Sequence, residues 1–464
     1  MMKTIRNISY NYYWGIFLIF FLWSCEDFVE VDPPASELAS ETVFDDVATA
    51  DAAMAYIYSS LQSRVLVTGD SGGITILMGA YADELTSYSN YGLADETFYL
   101  NSLQADNATV ASLWSEAYNL IYAANSIIEG VTASDALSDT DRDRLCGEAL
   151  FVRSYIYYYL IQLFGDIPYV TGTDYTVNQT IGKTVVSTFY NYLIADLQQA
   201  KDLLPENYFG ANRVRPNRSA AAALLARVCL FAEECAMASE NASQVINNTA
   251  FYSISEDLDN VFLIGSPSII WQLMPSAAGM NTLEGQNLIF SEGPPPVRAL
   301  SESLFDSFSQ QDLRREHWIG TVTNEQGTWH YPFKYKQPAP TGNSMEYSIQ
   351  LRLEEMFLIR AEARAMLGEV LTAQDDLNVI LQRAGLPLTQ SGSTPALITE
   401  IMQQRQLELF CELGHRFFDL KRLGLADALL QEEKPGWNTQ DQLLPYPQRE
   451  LQLNPNLLPQ NTGY

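Results

Sequence analysis

Two glutamates, Glu408 and Glu412, are the first candidates for chemistry in this chain of 464 residues. Glycoside hydrolases use a pair of carboxyl groups, one as acid and the other as base or nucleophile. Here the pair stands among Arg405, Arg416 and Asp419 at three- and four-residue steps. Because nearby arginines stabilise the charged form of a carboxylate, this spacing suits an ion-pair ladder along one helix better than acid catalysis. We therefore predict no catalytic residue.

A serine-protease motif is the second candidate, because residues 69–73 spell GDSGG. That chemistry requires a histidine base and a buried aspartate beside the serine. In chymotrypsin-like proteases the histidine precedes the serine, whereas His317, His330 and His415 all follow it here. The surrounding pattern is also helical, unlike the two β-barrels of those proteases. We interpret the motif as a flexible turn.

A calcium loop is the third candidate, since Asp139, Asp141 and Asp143 have the spacing that begins an EF-hand. The loop requires glycine at its sixth position and glutamate at its twelfth, where this chain has Arg144 and Leu150. Acids at a helix N-terminus, where the helix dipole favours them, explain the pattern better. The five cysteines lack metal-ligand spacing. We predict no metal and no cofactor.

The composition limits the partners of the chain. It has 56 acidic and 27 basic residues, which give a formal net charge of −29. Such a charge repels nucleic acids, so we predict no nucleic-acid partner. The 26 tyrosines, 21 phenylalanines and 7 tryptophans are numerous, and several lie in loop-like segments. These aromatic residues outside helices are the first indication of a function.

Residues 351–424 indicate the scaffold that must position such groups. Their first half predicts two helices that meet at Leu367-Gly368, and the second helix carries one apolar stripe. A helix pair of this kind is typical of a tetratricopeptide unit, which cannot bury its apolar face alone. Further pairs are therefore expected, and helical patterns do begin near residues 48, 110, 145, 189, 216 and 241.

The predicted fold is mainly α, a tetratricopeptide-like helical-repeat solenoid with an irregular insertion of loops and short strands. N-terminal repeats are predicted over residues 36–250 and C-terminal repeats over residues 349–464. Residues 251–348 lose the helical period and form the insertion. Within the N-terminal repeats, residues 65–106 are predicted to be a long polar and aromatic loop, and ordered loops of that length are usually functional.

The N-terminus has the pattern of a lipoprotein signal. Lys3 and Arg6 precede the apolar run GIFLIFFLW, which is too short for a permanent membrane span. The string LWSC resembles a bacterial lipobox, so residues 1–24 are predicted to be removed and Cys25 to be lipidated. Residues 25–35 then form a tether. An ordinary secretory signal with an incidental cysteine is the alternative, and no later apolar run is long enough to span a membrane.

Several strings together resemble the SusD/RagB family. They are CEDFVEVDPP, GEALFVRSYIYYYLIQLFGDIPYV, RVRPNRSAAAALLARVCLFA, LRLEEMFLIRAEARAMLG, RQLELFCELGHRFFDLKRLG and LLPYPQRELQLNPNLLPQNTGY, in family order and over essentially the whole chain. The resemblance implies a surface-exposed lipoprotein of the outer membrane, anchored by lipid such as palmitate at Cys25, with tetratricopeptide-like architecture. It also implies binding of glycans or sometimes other nutrients, and a SusC-like TonB-dependent transporter as partner.

A sugar site requires flat apolar faces for pyranose CH groups, with amides and carboxylates for the hydroxyl groups. Residues 65–106 and 279–342 supply both, and family members build their ligand surface from comparable loops. The candidate ligand-binding residues are Tyr88, Asn90, Tyr91, Trp329 and Tyr331. Trp114 and Trp271 lie in periodic segments and are predicted to be core, whereas Trp318 suits either role.

The predicted function is non-catalytic capture of an oligosaccharide at the cell surface and its delivery to a SusC-like transporter. Two alternatives of other classes stay open. In the first, the aromatic loops contact only the transporter, or capture a peptide or another nutrient. In the second, which the sequence favours less, the chain is a glycan hydrolase.

Overall fold

The computed structural model describes residues 43–64, 66–89, 94–434 and 436–464. This part of the chain is mainly α-helical with short two-stranded sheets, as the apolar periodicity predicted. The elements up to residue 246 are α1 (Val47–Ser63), α2 (Ile74–Tyr81), β1 (Leu85–Ser87), α3 (Ala94–Tyr99), α4 (Ala108–Ala133), α5 (Asp139–Phe164), α6 (Tyr175–Asn178), α7 (Val186–Leu203), α8 (Arg218–Phe231) and α9 (Cys235–Ile246).

Short elements dominate the next segment. They are β2 (Ile269–Leu273), α10 (Leu283–Leu288), β3 (Arg298–Leu300), α11 (Glu302–Ser307), α12 (Leu313–His317), β4 (Ile319–Asn324), β5 (Gly327–Pro332) and β6 (Ser348–Arg352). Longer helices then return. They are α13 (Leu353–Met366), α14 (Val370–Arg383), α15 (Thr394–Leu409), α16 (His415–Arg422), α17 (Ala426–Glu433) and α18 (Gln448–Leu453).

Local sequence signals explain the ends of α5. The Ser138 hydroxyl accepts a hydrogen bond from the backbone N–H of Asp141, and the Asp141 carboxylate accepts one from that hydroxyl at 2.6 Å. The helix ends at Gly165, whose φ of 77° lies in the left-handed region that favours glycine. Asp139 and Asp141 of the EF-hand-like string thus lie in the first turn of a helix, where the dipole favours negative charge.

The helices pack in sequence as a continuous array. α4 packs on α5, α5 on α7, α7 on α8, and α8 on α9. α9 then packs directly on α13, although the short elements separate them in the chain. β2 and β6 also pair with each other, with Ile269 opposite Arg352. The helical array is therefore continuous from α9 to α13, and residues 251–348 are an insertion between them. The two ends of the insertion lie side by side.

The predicted loop over residues 65–106 is partly wrong, because α2 is an eight-residue helix within it that is buried at every position. Its sequence ITILMGAY is almost entirely apolar, so it shows no stripe of 3.6-residue period. Helices that are apolar all round belong in the core of a protein. Trp318 is also core: its ring is fully buried and its Nε1 donates to the carbonyl oxygen of Leu258 at 3.0 Å.

The predicted ion-pair ladder along one helix is wrong. α15 ends at Leu409, and left-handed backbone at Cys411, Leu413 and Gly414 separates it from α16. The charged side chains therefore do not form one row along a helix: Arg405 pairs with Asp419, and Glu408 and Glu412 both bind Arg352. Arg416 pairs with Asp83, which lies 333 residues earlier in the chain, and its Nη2 is 2.6 Å from the carboxylate. The residues are structural, as predicted, but they connect separate parts of the fold.

Glu408 is the centre of a buried ion network. Its carboxylate accepts from Arg352 at 2.6 Å, from Arg383 at 2.5 Å and from Arg314 at 3.2 Å. Although burial raises the pKa of Glu408, the three guanidinium groups outweigh that effect and hold the pKa well below its usual range. The side chain is fully buried, so its charge is balanced by these arginines and not by water.

Removing this charge is expected to destabilise the fold strongly. A Glu408→Gln variant leaves buried guanidinium groups without their shared carboxylate, and breaking a buried ion pair from one side costs about 3–5 kcal/mol. Urea unfolding of the variant and of the wild type measures the difference.

Glu432→Gln is the matched control, because Glu432 is exposed on α17 and a surface substitution is expected to stay within about 0.5 kcal/mol. Equal stability of Glu408→Gln and Glu432→Gln would show that the network is not needed for the fold.

Candidate functional site

A small sheet joins the two regions that supply the candidate residues. β1 and β3 are antiparallel, with Leu85 opposite Leu300 and Ser87 opposite Arg298. The backbone N–H of Tyr88 continues the pairing and donates to the carbonyl oxygen of Val297 at 2.7 Å. Tyr88 is thereby fixed beside the segment that runs from α10 to β3.

The β4–β5 hairpin presents the two other aromatic candidates. Val322 lies opposite Trp329, and Gly320 lies opposite Tyr331. Because side chains alternate between the faces of a strand, Trp329 and Tyr331 project from the same face. The Trp329 indole also lies close enough to the Tyr88 hydroxyl to lower its pKa, against the larger effect of burial. Tyr88, Trp329 and Tyr331 therefore form one half-buried group, which we call the aromatic surface.

Glycines leave room for two rings of the aromatic surface to lie close against the backbone. A Cβ on Gly293 would be 2.3 Å from the Trp329 ring, and a Cβ on Gly320 would be 2.1 Å from the Tyr331 ring. Asn324 holds the hairpin to the neighbouring loop, because its Nδ2 donates to the carbonyl oxygen of Gly293 at 2.6 Å. The two ring planes are thus positioned by close contact with backbone.

Further packing limits the movement of these rings. The Tyr331 ring lies 5.0 Å from that of Phe290 and 5.7 Å from that of Phe333, measured between centroids. Tyr88 keeps 39% of its surface exposed. Burial raises the pKa of the Tyr88 hydroxyl, so this group is neutral and can donate a hydrogen bond at physiological pH. The result is a fixed aromatic surface with accessible rings and one accessible hydroxyl group.

The opposite face of the hairpin is a separate packing layer. His330 stacks on Phe305 with 3.5 Å between ring centroids, and its Nδ1 lies 2.9 Å from the Thr321 hydroxyl. Arg315 covers the Phe305 ring at 4.3 Å. Burial lowers the pKa of His330, with a further contribution from Arg315, so the imidazole is neutral. This face supports the hairpin.

Two buried acids, Asp83 and Glu84, directly precede β1 and hold it in place. Asp83 pairs with Arg416, and the Glu84 carboxylate accepts from the backbone N–H of Cys411 at 3.1 Å. Burial, with the neighbouring Asp83 charge, raises the pKa of Glu84 to about 8. Glu84 is therefore protonated at neutral pH, and it connects the strand before Tyr88 to the break between α15 and α16.

The structure brings together Tyr88, Trp329 and Tyr331, whereas Asn90 and Tyr91 lie outside the described residues. Cys25 lies outside them as well. Phe290 was not singled out from the sequence; an aromatic residue in a loop-like segment was the signal available for it. Trp114 and Trp271 are buried, as predicted.

The alternative chemistries find no support in the geometry. Glu408 and Glu412 are both engaged by arginines, so neither carboxylate is available as an acid or base. His317 contacts Asp259 and His330 contacts Thr321, and among the described residues neither of them hydrogen-bonds the GDSGG serine. Across the described ranges, no group of three or more His, Cys, Asp or Glu side chains could hold a metal ion. The same ranges contain no helix that is long and apolar enough to cross a bilayer.

Two family models match the sequence. One, described as starch-binding and associating with the outer membrane, matches residues 27–230. The other, described as the SusD family, matches residues 311–464. Among curated proteins, SusD-like protein P2 of Formosa agariphila is 28% identical over 97% of this chain and 98% of its own length. SusD-like protein P25 of the same organism is 25% identical over 97% and 98%.

Solved structures resemble the fold. A SusD superfamily protein from Bacteroides vulgatus has a TM-score of 0.79 and 20% identity, over 90% of this chain and 99% of its own. A SusD-like carbohydrate-binding protein from Bacteroides fragilis has a TM-score of 0.77 and 19% identity, over 90% and 100%. Surface glycan-binding protein A from Bacteroides fluxus has a TM-score of 0.74 and 22% identity, over 90% and 99%. At these identities, the likeness shows the fold alone.

The buried Glu84 carboxyl predicts a specific pH dependence of stability. Its pKa rises from the ordinary value of 4.5 to about 8 on folding, so the folded protein holds a proton that the unfolded chain releases. Stability from this group is complete below about pH 4.5 and is lost as the pH rises towards 8. Glu84→Gln, which stays neutral, is expected to lose less stability than the wild type between pH 5 and pH 8.

Urea unfolding at several pH values measures this difference, and each unit of pKa shift corresponds to about 1.4 kcal/mol. Glu240→Gln, at an exposed position of α9, is the control and is expected to follow the wild type. Parallel pH profiles for Glu84→Gln and the wild type would contradict a protonated Glu84.

Proposed function

The chain belongs to the SusD/RagB family, and from that premise we propose that it is a non-catalytic glycan-binding lipoprotein of the cell surface. It captures an oligosaccharide and delivers it to a SusC-like TonB-dependent transporter. The observation that carries the proposal is the convergence of Tyr88, which follows β1, with Trp329 and Tyr331 of β5 in the aromatic surface.

The chemistry of the aromatic surface suits a sugar. Pyranose rings present CH groups to flat aromatic faces, and half-buried rings held by backbone lose little entropy on binding. The exposed side-chain amide of Gln326 stands at the hairpin turn, where it can bind hydroxyl groups. Aromatic faces with a nearby amide therefore supply both halves of glycan recognition.

The surrounding charge favours a neutral glycan. Glu292 and Glu325 are exposed in the two turns next to the Trp329 ring, and Glu302 lies close enough to raise the pKa of Tyr88. Together with the net charge of −29, these acids repel sulfated or uronic-acid chains. An open surface, unlike a deep pocket, also suits a ligand that must be released to a transporter.

Two further parts of the proposal concern location and partner. The lipobox-like string ending at Cys25 supports a lipid anchor, and the match described as associating with the outer membrane begins at residue 27. A surface lipoprotein that captures glycans must pass them to an importer, and family membership supports a SusC-like transporter in that role. The alternatives are a module whose aromatic surface contacts only the transporter or captures a peptide, and a glycan hydrolase.

Truncation of the central indole is expected to abolish most glycan binding. The mature chain, without the lipid, is run through native gels that contain starch, xylan, laminarin or galactomannan. At least one polysaccharide should retard the wild type, and Trp329→Ala should weaken binding at least about tenfold, because truncating a hot-spot aromatic residue typically costs about 2 kcal/mol or more. Tyr56→Ala, which removes a 55% exposed ring on α1, is the matched control.

The other outcomes identify the alternatives. Equal retardation of Trp329→Ala and the wild type would remove the aromatic surface from the proposal. New reducing ends in the polysaccharide would contradict a non-catalytic role. An absence of retardation by every polysaccharide, with a TonB-dependent transporter that co-purifies with the full-length protein, would favour the transporter-contact alternative.

Lipid attachment is tested at Cys25. Cys25→Ser is expected to abolish incorporation of radioactive palmitate and to release the protein from the outer-membrane fraction. Cys146→Ser, which changes a half-buried thiol on α5, is the control and should keep both properties. Labelling and membrane association that survive Cys25→Ser would assign the sequence an ordinary secretory signal.

A further inference from the structure

A pocket lies on the helical array, and it is separate from the aromatic surface. It opens between α4, the segment from Pro168 to Gln179, and the C-terminal residues around α18. Its volume is about 370 Å³, which is within the range of roughly 300–1,000 Å³ typical of small-molecule sites. None of its lining residues belongs to β1, β3, β4 or β5. We call it the α4 pocket.

One wall of the α4 pocket is aromatic. Trp114, Tyr118 and Tyr122 follow each other at four-residue steps, so they lie on one face of α4. Tyr118 is fixed, because its hydroxyl donates to the carbonyl oxygen of Pro168 at 2.9 Å and its ring lies 4.9 Å from that of Trp114. The Trp114 ring is in turn held edge-on against Phe164 at 5.0 Å.

Tyr122 differs from its two neighbours. Its ring is 51% exposed at the mouth of the α4 pocket, and among the described residues its hydroxyl has no hydrogen-bond partner. Leu453 of α18 lines the pocket as well and is 66% exposed. The α4 pocket therefore continues outward into accessible apolar surface of the kind that a sugar ring covers.

Some polar groups of the α4 pocket are not used by the fold, although Ser115, Asn178 and Asn454 are hydrogen-bonded within it. Within the described ranges, the side chains of Asn119 and Glu450 make no hydrogen bond or ion pair. Gln179 makes one long bond, from its Nε2 to the carbonyl oxygen of Thr176 at 3.4 Å, and its Oε1 stays free. Amide donors, amide acceptors and a carboxylate are thus available to hydroxyl groups of a ligand.

The lining also excludes other ligand classes. It contains no lysine, arginine or histidine, and its one charged residue is Glu450. A phosphate, sulfate or carboxylate ligand would meet a negative charge without any positive partner, which disfavours it. A purely apolar ligand would bury the free amides of Asn119 and Gln179 without hydrogen bonds. A neutral polyhydroxylated molecule is not repelled by Glu450, and its hydroxyl groups can form hydrogen bonds with the free amides.

We propose that the α4 pocket is a second glycan-binding site, which takes a short stretch of a neutral oligosaccharide stacked on Tyr122 and hydrogen-bonded to Asn119, Gln179 and Glu450. The class of ligand in this inference rests on the proposed function. The residues that would bind it are different from those of the aromatic surface. Two sites on one chain raise the apparent affinity for a polysaccharide, since the second binding event is intramolecular.

Calorimetric titration of the mature chain with maltohexaose, xylohexaose, laminarihexaose and mannohexaose tests the proposal. At least one hexaose should bind Trp329→Ala with residual affinity, and the double variant Trp329→Ala/Tyr122→Ala should lose that affinity at least tenfold. Glu450→Gln in the Trp329→Ala background should weaken it by a smaller factor. Tyr122→Ala alone is titrated as well, and Tyr56→Ala in the Trp329→Ala background is the control.

A second measurement does not depend on variants. Hydroxyl-radical footprinting of the wild type should show that the same hexaose protects Tyr122 from oxidation, while Tyr56 stays unprotected.

The outcomes separate this inference from the proposed function. If hexaoses bind the wild type, but Trp329→Ala has no residual affinity and Tyr122 is not protected, the α4 pocket is not a glycan site. If Tyr122→Ala abolishes binding and Trp329→Ala leaves it intact, the pocket is the glycan site and the aromatic surface is not. Absence of binding by every hexaose overturns both.

Discussion

The carboxylate of Glu408 is the interaction on which the rest of the structure depends. Its three arginine partners come from separate segments: Arg314 from α12, Arg352 from the end of β6 and Arg383 from α14. Apolar packing tolerates small shifts between elements, whereas a buried charge requires each partner at hydrogen-bond distance. One side chain on α15 therefore fixes the short-strand segment in a defined position on the helical array.

This constraint extends to the aromatic surface through a short series of contacts. Lys334, which follows β5 closely, donates to the carbonyl oxygens of Glu408 and Phe410, each at 2.8 Å. The same break in the chain supplies the backbone N–H of Cys411 to Glu84. Both strands that carry aromatic candidates are thus connected to the segment between α15 and α16. The rings lie on the surface, but their supports reach the most buried charges of the protein.

The sequence predicted the helices that have a local apolar period. It did not predict contacts between residues that are far apart in the chain. Periodic apolar residues predicted α4, α5 and α7, and the turn at Leu367-Gly368 lies between α13 and α14. α2 was missed because a helix that is apolar on every side has no periodicity. Charged residues at helical spacing suggested neighbours on one helix, whereas Arg416 contacts Asp83, 333 positions away. The pairing of β1 with β3, which brings Tyr88 to Trp329, has no local signal, although the family resemblance pointed to the two regions involved.

The continuity of the helical array has a consequence for how such proteins diversify. Because α9 packs on α13 and β2 pairs with β6, residues 251–348 leave and rejoin the array at nearly the same place. The entropic cost of closing such a segment grows only with the logarithm of its length. Insertions and deletions between β2 and β6 therefore leave the helical scaffold intact, provided that the partners of Glu408 remain. The residues between β2 and β6 can therefore change in number and sequence while the packing of α9 on α13 is kept.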